Sequence, residues 1–214
     1  VDTVQVMVVK HDSPLLNVAT YSLDGNSILL DWNTNNPDVV TSYDIFKSID
    51  ENGNFEVIGQ KNADTENEYS DQSVVSTFPL SYSIAYYDTC GVLSSTSPIH
   101  SPVHVNAYYR ISNPKIVDIS WSPYVGKSFD SYILYRGTSP NSLTEFARVD
   151  SSVSYYTLNI DDYLFYRVAI PLKVPYSIDG TTFVNSYSNI AQITDLRNNA
   201  NILSETEYFS IYPN

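Results

Sequence analysis

Apolar and polar residues alternate along most of this chain with a period of two, the spacing of a strand that buries one face. Val4, Val6 and Val8 alternate with Thr3, Gln5 and Met7. Ile28, Leu30 and Trp32 share one face, Tyr43 and Ile45 another, and Tyr82, Ile84 and Tyr86 a third. Turn residues separate the runs. Asp50-Glu51-Asn52-Gly53-Asn54 reads as a hairpin turn, because Asn52-Gly53 supplies the positive-φ positions such a turn requires. Phe55, Val57 and Gly59 continue on the strand after it. No stretch keeps a helical period over three turns, and Ser142–Val149 reads as turn plus strand. Short strands with turn signals every 8–12 residues or so predict an all-β fold of the sandwich type.

The pattern occurs twice. Ile28-Leu29-Leu30-Asp31-Trp32 is followed by Ser42-Tyr43-Asp44-Ile45-Phe46-Lys47, and Val117-Asp118-Ile119-Ser120-Trp121 by Ser131-Tyr132-Ile133-Leu134-Tyr135-Arg136. From Trp32 to Trp121 and from Tyr43 to Tyr132 the offset is 89 residues, one domain length. Ser13-Pro14-Leu15 and Ser101-Pro102-Val103 are matching entries into a first strand, where Pro is tolerated at an edge. The division expected is residues 1–10 as a terminal strand or linker from an upstream domain, 11–99 as domain one, 100–195 as domain two, and 196–214 as an exit linker. Hardly any linker separates the two domains, which predicts a semi-rigid rod. The chain starts at Val1 without a signal-peptide pattern and reads as a fragment or processed product.

Composition narrows the function classes. Tyr is abundant (19 residues), and the net charge is −13. An acidic surface repels phosphate backbones and anionic headgroups, so neither nucleic acid nor membrane insertion is expected. No run of about 18 apolar residues occurs. Cys90 is the single cysteine, which excludes an internal disulfide, and it reads as a small buried or half-buried side chain.

These residues resemble fibronectin type III domains, in which a Trp closes the second strand and a Tyr-x-hydrophobic-aromatic-basic run forms the third. Trp32 with Tyr43, Ile45, Phe46 and Lys47 fits the first copy, and Trp121 with Tyr132, Leu134, Tyr135 and Arg136 the second. A later Tyr-x-hydrophobic strand follows at Tyr82 and Ile84 and at Tyr166 and Val168. Gly91, Ser94 and Ser97 match the glycine and spaced serines that often come next. The second copy departs through Pro171-Leu172-Lys173-Val174-Pro175 and Ile178-Asp179-Gly180, expected as a longer loop before Ser186-Tyr187-Ser188-Asn189. The resemblance implies two immunoglobulin-like antiparallel β-sandwiches in tandem, with Trp32 and Tyr43 facing each other across the sheets. Separately, Phe209-Ser210-Ile211-Tyr212-Pro213-Asn214 resembles the opening of the C-terminal sorting domain of the bacterial type IX secretion system. That implies a secreted or cell-surface location.

Candidate chemistry is sparse. His11, His100 and His104 are the only histidines. On a strand the last two would lie about 13 Å apart, too far to share one metal. Asp161-Asp162 offers too few oxygens for Ca²⁺, and the Asp50–Glu56 run has Lys61 where a calcium loop needs its distal Glu. No nucleophile elbow, phosphate loop or zinc-protease motif occurs. No catalytic, metal or cofactor-binding residue is therefore assigned, and no cofactor is expected. The pairs Tyr86-Tyr87, Tyr108-Tyr109 and Tyr155-Tyr156 each send one ring outward if they lie on strands. Outward tyrosines can form a platform for sugars or partner proteins. The function expected is a non-catalytic structural and interaction module whose partners are neighbouring domains of the same polypeptide, with other surface proteins or glycans as candidates. The alternatives are a carbohydrate- or adhesion-ligand-binding module, using the tyrosines or the Lys173–Asn185 loop, and an accessory segment of a secreted hydrolase.

Overall fold

The computed structural model describes residues 12–50, 52–74, 78–159 and 162–193. The expected upstream strand (1–10) and the whole exit linker (196–214), with the sorting motif (209–214) in it, lie outside them. Fourteen strands are present among the described residues: β1 Leu15–Tyr21, β2 Ile28–Asn33, β3 Val40–Ser48, β4 Phe55–Asn62, β5 Glu68–Asp71, β6 Tyr82–Asp88, β7 Val105–Arg110, β8 Asn113–Trp121, β9 Ser131–Gly137, β10 Thr144–Asp150, β11 Tyr155–Asn159, β12 Phe165–Ile178, β13 Thr181–Tyr187 and β14 Ala191–Gln192.

They form two antiparallel sandwiches in tandem. In the first, the sheet β1-β2-β5 faces the sheet β4-β3-β6. In the second, β7-β8-β11 faces β10-β9-β12-β13, with β14 also paired to β12. This is the fibronectin type III-like arrangement. Each sandwich closes over its own tryptophan. Trp32 and Tyr43 meet edge to face with ring centroids 5.4 Å apart and planes at 66°. Trp121 and Tyr132 repeat the contact at 5.4 Å and 68°. Trp32 belongs to one buried cluster with Ile45, Tyr82 and Ile84. Trp121 belongs to another with Leu134, Tyr166 and Val168. Large aromatics suit a core only about 10 Å thick. Tyr166 donates its hydroxyl to the carbonyl of Tyr163 (3.1 Å), the tyrosine corner of such sandwiches. At the equivalent place Tyr82 donates instead to Asp71 (2.8 Å), whose carboxylate also holds Lys47 (2.7 Å).

The spaced serines have a structural task. The Ser97 amide donates to the Ile84 carbonyl (2.7 Å), and the Ser97 hydroxyl accepts from the Ile84 amide (3.0 Å). Ser94 does the same for Tyr86, and Ser188 for Val168. Each hydroxyl satisfies a strand amide where the partner chain is too irregular to offer a carbonyl.

Two expectations are corrected. The segment read as a long loop after Pro171 is a hairpin: β12 runs on to Ile178 and returns as β13. Pro171, paired with Asn185 beyond the last β9 rung at Ala169, opens the register irregularity that ends at Tyr176, and Pro175 sits inside it, where its missing N–H costs no regular ladder bond. Asp179 (φ 49°) and Gly180 (φ 70°) supply the turn. Cys90 is exposed rather than buried or half-buried. It lies in the turn after β6, where its amide donates to Asp88 (2.8 Å).

Candidate functional site

The junction of the two sandwiches is built mainly by the β12–β13 hairpin, which packs back onto the first sandwich. Val18 of β1 and Leu29 of β2 form a buried cluster with Ile178 and Phe183, and Leu172, Tyr176 and Tyr187 close its margin. An end-to-end pair joined by a short linker, as expected from the sequence, would lack this lateral contact.

Arg167 lies at its centre, 4% exposed. Its Nε donates to the carbonyl of Ser188 (3.0 Å), Nη1 to that of Leu23 (2.6 Å), and Nη2 to that of Ser22. The guanidinium lies 4.6 Å from the ring centre of Tyr187. Burial pulls its pKa down to about 10, and it stays charged at neutral pH. A planar fork of five donors can satisfy several carbonyls at once, which an ammonium cannot.

Three more bonds reach the edge of β1. Ser186 Oγ donates to the carbonyl of Ala19 (2.9 Å), and the Ala19 amide donates to Tyr124 Oη (3.4 Å). The Tyr187 amide donates to Thr20 Oγ1 (2.8 Å). Farther along, the Asp179 amide donates to Glu68 (2.8 Å). Tyr124 Oη also lies 3.2 Å from His100 Nδ1. His100 is 2% exposed, and burial, with the Lys127 charge second, pulls its pKa down to about 4. Gly126 (φ +111°) makes room for this ring: a Cβ there would fall 2.3 Å from His100 Cδ2. A cleft of about 370 Å³ opens beside Arg167, lined among others by Leu23, Asp24, Tyr135, Asn141 and Tyr187.

The paired tyrosines split as their strand positions require. Tyr86 is buried and Tyr87 half-buried. Tyr108 (48% exposed) and Tyr155 (44%) point outward from one sheet, on strands flanking β8, while Tyr109 and Tyr156 are half-buried. Between them Asp118 is buried and accepts both Arg110 Nε (2.9 Å) and Nη2 (2.7 Å), Thr157 Oγ1 (2.9 Å) and the Tyr155 hydroxyl. The Arg110 guanidinium holds the Asp118 carboxyl well below the usual range, at about 2. The structure therefore brings Tyr108 and Tyr155 onto one face and leaves Tyr87 on the other sandwich. His100 and His104 are both buried, and His11 lies outside the described residues. Asp162 is exposed, and its neighbour Asp161 is not among the described residues. Among the described residues no group of three or more His, Cys, Asp or Glu is placed to hold a metal ion. The sequence reading missed Arg167, Tyr124 and Ser186. Arg167 alternates outward between the core residues Tyr166 and Val168, the position of a solvated side chain, and nothing local reveals that a second sheet covers it.

Fold and junction together define a tandem pair of fibronectin type III-like sandwiches locked through a buried arginine. No family model matches the chain, and no curated protein does. Among solved structures it is similar to the central fibronectin-III array of RIM-binding protein (17% identity, 86% of this chain and 70% of that one, TM-score 0.31). It is also similar to the chicken CNTN1 FN1–FN3 domains (13% identity, 85% and 66%, TM-score 0.29). A third similar structure is the pectate lyase Pel3 of Pectobacterium carotovorum (18% identity, 41% and 26%, TM-score 0.34). The chain spans about a quarter of that lyase's length. With overlaps this distant, the fold rests on the strand order and the two cores described above.

Proposed function

We propose that this chain is a non-catalytic spacer and contact module of a secreted or cell-surface bacterial protein, in which two sandwiches act as one rigid body. The observation that carries the reading is the junction. Arg167 ties the main chain of Ser22 and Leu23 to that of Ser188, and a buried apolar cluster joins the same two sandwiches. A spacer needs a fixed angle between its modules, and a contact of this kind resists hinge motion. The polar residues with the strongest environments, Arg167, Asp118 and the Asp71–Lys47–Tyr82 set, are engaged with one another or with main chain. The secreted location draws on the resemblance of residues 209–214 to a type IX sorting motif. The test is ¹⁵N relaxation on the full chain. One rotational correlation time shared by both sandwiches supports the spacer, and two shorter independent times overturn it. Hydrolysis by the isolated chain would overturn the non-catalytic part.

A second reading, a carbohydrate- or adhesion-ligand-binding module, is favoured by one observation: Tyr108 and Tyr155 are exposed on the same sheet face. A glycan array with no signal, unchanged by Tyr108→Ala and Tyr155→Ala, would remove it.

A further inference from the structure

The repeat makes one comparison available inside the molecule. Ala19 of β1 pairs with Leu30, two residues before Trp32; Ala107 of β7 pairs with Ile119, two residues before Trp121. The two alanines are structural equivalents on the outer edge of equivalent sheets. At Ala19 the outward amide and carbonyl are both engaged by the second sandwich, through Tyr124 and Ser186. At Ala107 they are not engaged by any described residue.

The direction of the β7 main chain follows from its neighbours. The carbonyl of His104 accepts from the Ser122 amide, so His104 bonds toward β8. Val105 bonds the other way: its amide donates to Asn189 Oδ1 (2.7 Å) and its carbonyl accepts from Asn189 Nδ2 (2.9 Å). With a period of two, Ala107 and Tyr109 also point outward. The Asn189 carboxamide thus imitates one residue of a missing strand, and the next two rungs are open. They face a groove of about 570 Å³ between β7 and β14, lined by His104, Ala107, Tyr108, Asn189, Ala191 and Gln192. His104 is 9% exposed, and its Nδ1 has no hydrogen-bond partner among the described residues. The Tyr109 hydroxyl is likewise buried without one.

We infer that the β7 edge is a docking site for an extended, non-acidic strand of a partner polypeptide, which would pair with Ala107 and Tyr109. A row of alternating main-chain donors and acceptors is matched by another extended chain. At the equivalent position Ala19 both outward groups are taken up by protein hydrogen-bonding groups, the Tyr124 and Ser186 hydroxyls. The groove residues named are uncharged, and the whole chain carries −13, which disfavours an acidic strand. The inference extends the contact-module reading. A rigid junction with an unresponsive β7 edge would sink this inference and leave that reading standing.

The test uses the full chain and the blocked peptide acetyl-Lys-Thr-Val-Thr-Val-Thr-Lys-amide, followed by amide chemical shifts. At millimolar peptide, shifts should concentrate at Ala107, Tyr109 and Gln192. N-methylation of the alternate peptide amides that face β7 should weaken binding at least tenfold, and N-methylation of the other set should not. Ala107→Pro should also weaken binding at least tenfold while leaving the fold intact, because the lost N–H faces away from β8. If that variant fails to fold, the two methylated peptides still decide. The inference is overturned by no shift at these amides, or by equal binding of both methylated peptides. Slow amide exchange at Ala107 and Tyr109 in the dilute free chain would mean that its own residues 194–214 cover the edge, and would also overturn it. Protection that rises with protein concentration would assign the edge to a second copy, with the same consequence.

Discussion

The guanidinium of Arg167 donates to the carbonyl of Leu23 at 2.6 Å, across 144 residues of chain. The same side chain reaches Ser22 and Ser188. Removing it would take the charged donor from three carbonyls, of which, among the described residues, Ser22 alone keeps a second donor in the Gly25 amide (3.0 Å), and hydrogen bonds to charged groups are each worth about 1.5–3 kcal/mol. Arg167→Ala should weaken the junction by about 2–4 kcal/mol while sparing both cores. Arg167→Lys should not restore it, because a single ammonium cannot span the fork. Residual dipolar couplings would read this directly. One alignment tensor for both sandwiches should become two in either variant.

The cores make a separate prediction. Trp32 is fully buried against Tyr43, and Trp121 repeats the geometry in the second sandwich. Trp32→Ala should cost about 3–5 kcal/mol, and the loss should fall on the first sandwich. In urea, the remaining Trp121 fluorescence should report a second sandwich still folded after the first has melted. A single transition shared by both would mean that the junction couples the sandwiches too strongly to unfold apart.

These two predictions draw on different depths of the sequence. The tryptophans, the strand faces and the tandem sandwich are legible because period-two alternation and an 89-residue repeat are local or self-similar signals. The hairpin was missed because Pro171 and Pro175 are strand breakers wherever the ladder is regular, and here one opens the irregularity and the other sits inside it. Cys90 was misplaced because a small apolar residue next to a strand usually turns inward, and here a turn carries it out. Arg167 was invisible for a more general reason. Its partners are main-chain carbonyls of another module, and a carbonyl has no sequence signature.

The serine bonds predict an effect that burial alone would not. Ser97 is 4% exposed and contributes little apolar area, yet its hydroxyl is the acceptor for the Ile84 amide at 3.0 Å. Ser97→Ala leaves that amide buried and unsatisfied, at a cost of about 1–3 kcal/mol. Ser97→Thr keeps the acceptor and should retain most of the stability if its methyl is accommodated. Amide exchange at Ile84 would distinguish the two, with faster exchange in the alanine variant than in the threonine one.

Acid should loosen the junction through His100. Its ring lies against Tyr124 and Gly126 with the Lys127 charge acting on it, and the Nδ1–Tyr124 contact involves no carboxylate that would welcome a proton. The folded pKa is about 4, whereas an unfolded histidine titrates near 6.5. Between those values the unfolded chain binds a proton that the folded chain refuses, so stability falls as pH drops through that window. Below about pH 4 both states are protonated and this group adds no further slope. The loss from pH 7 to 4.5 should be about 2–3 kcal/mol, and His104, whose pKa burial also lowers, acts in the same direction. Carboxylates protonating near the lower limit would blur a single titration. The comparison that isolates the effect is the wild type against His100→Gln, by urea unfolding at both pH values. The variant should be the less stable protein at pH 7, where the native ring packs well, and should lose less on acidification. An equal loss in both would show that His100 does not carry the acid sensitivity.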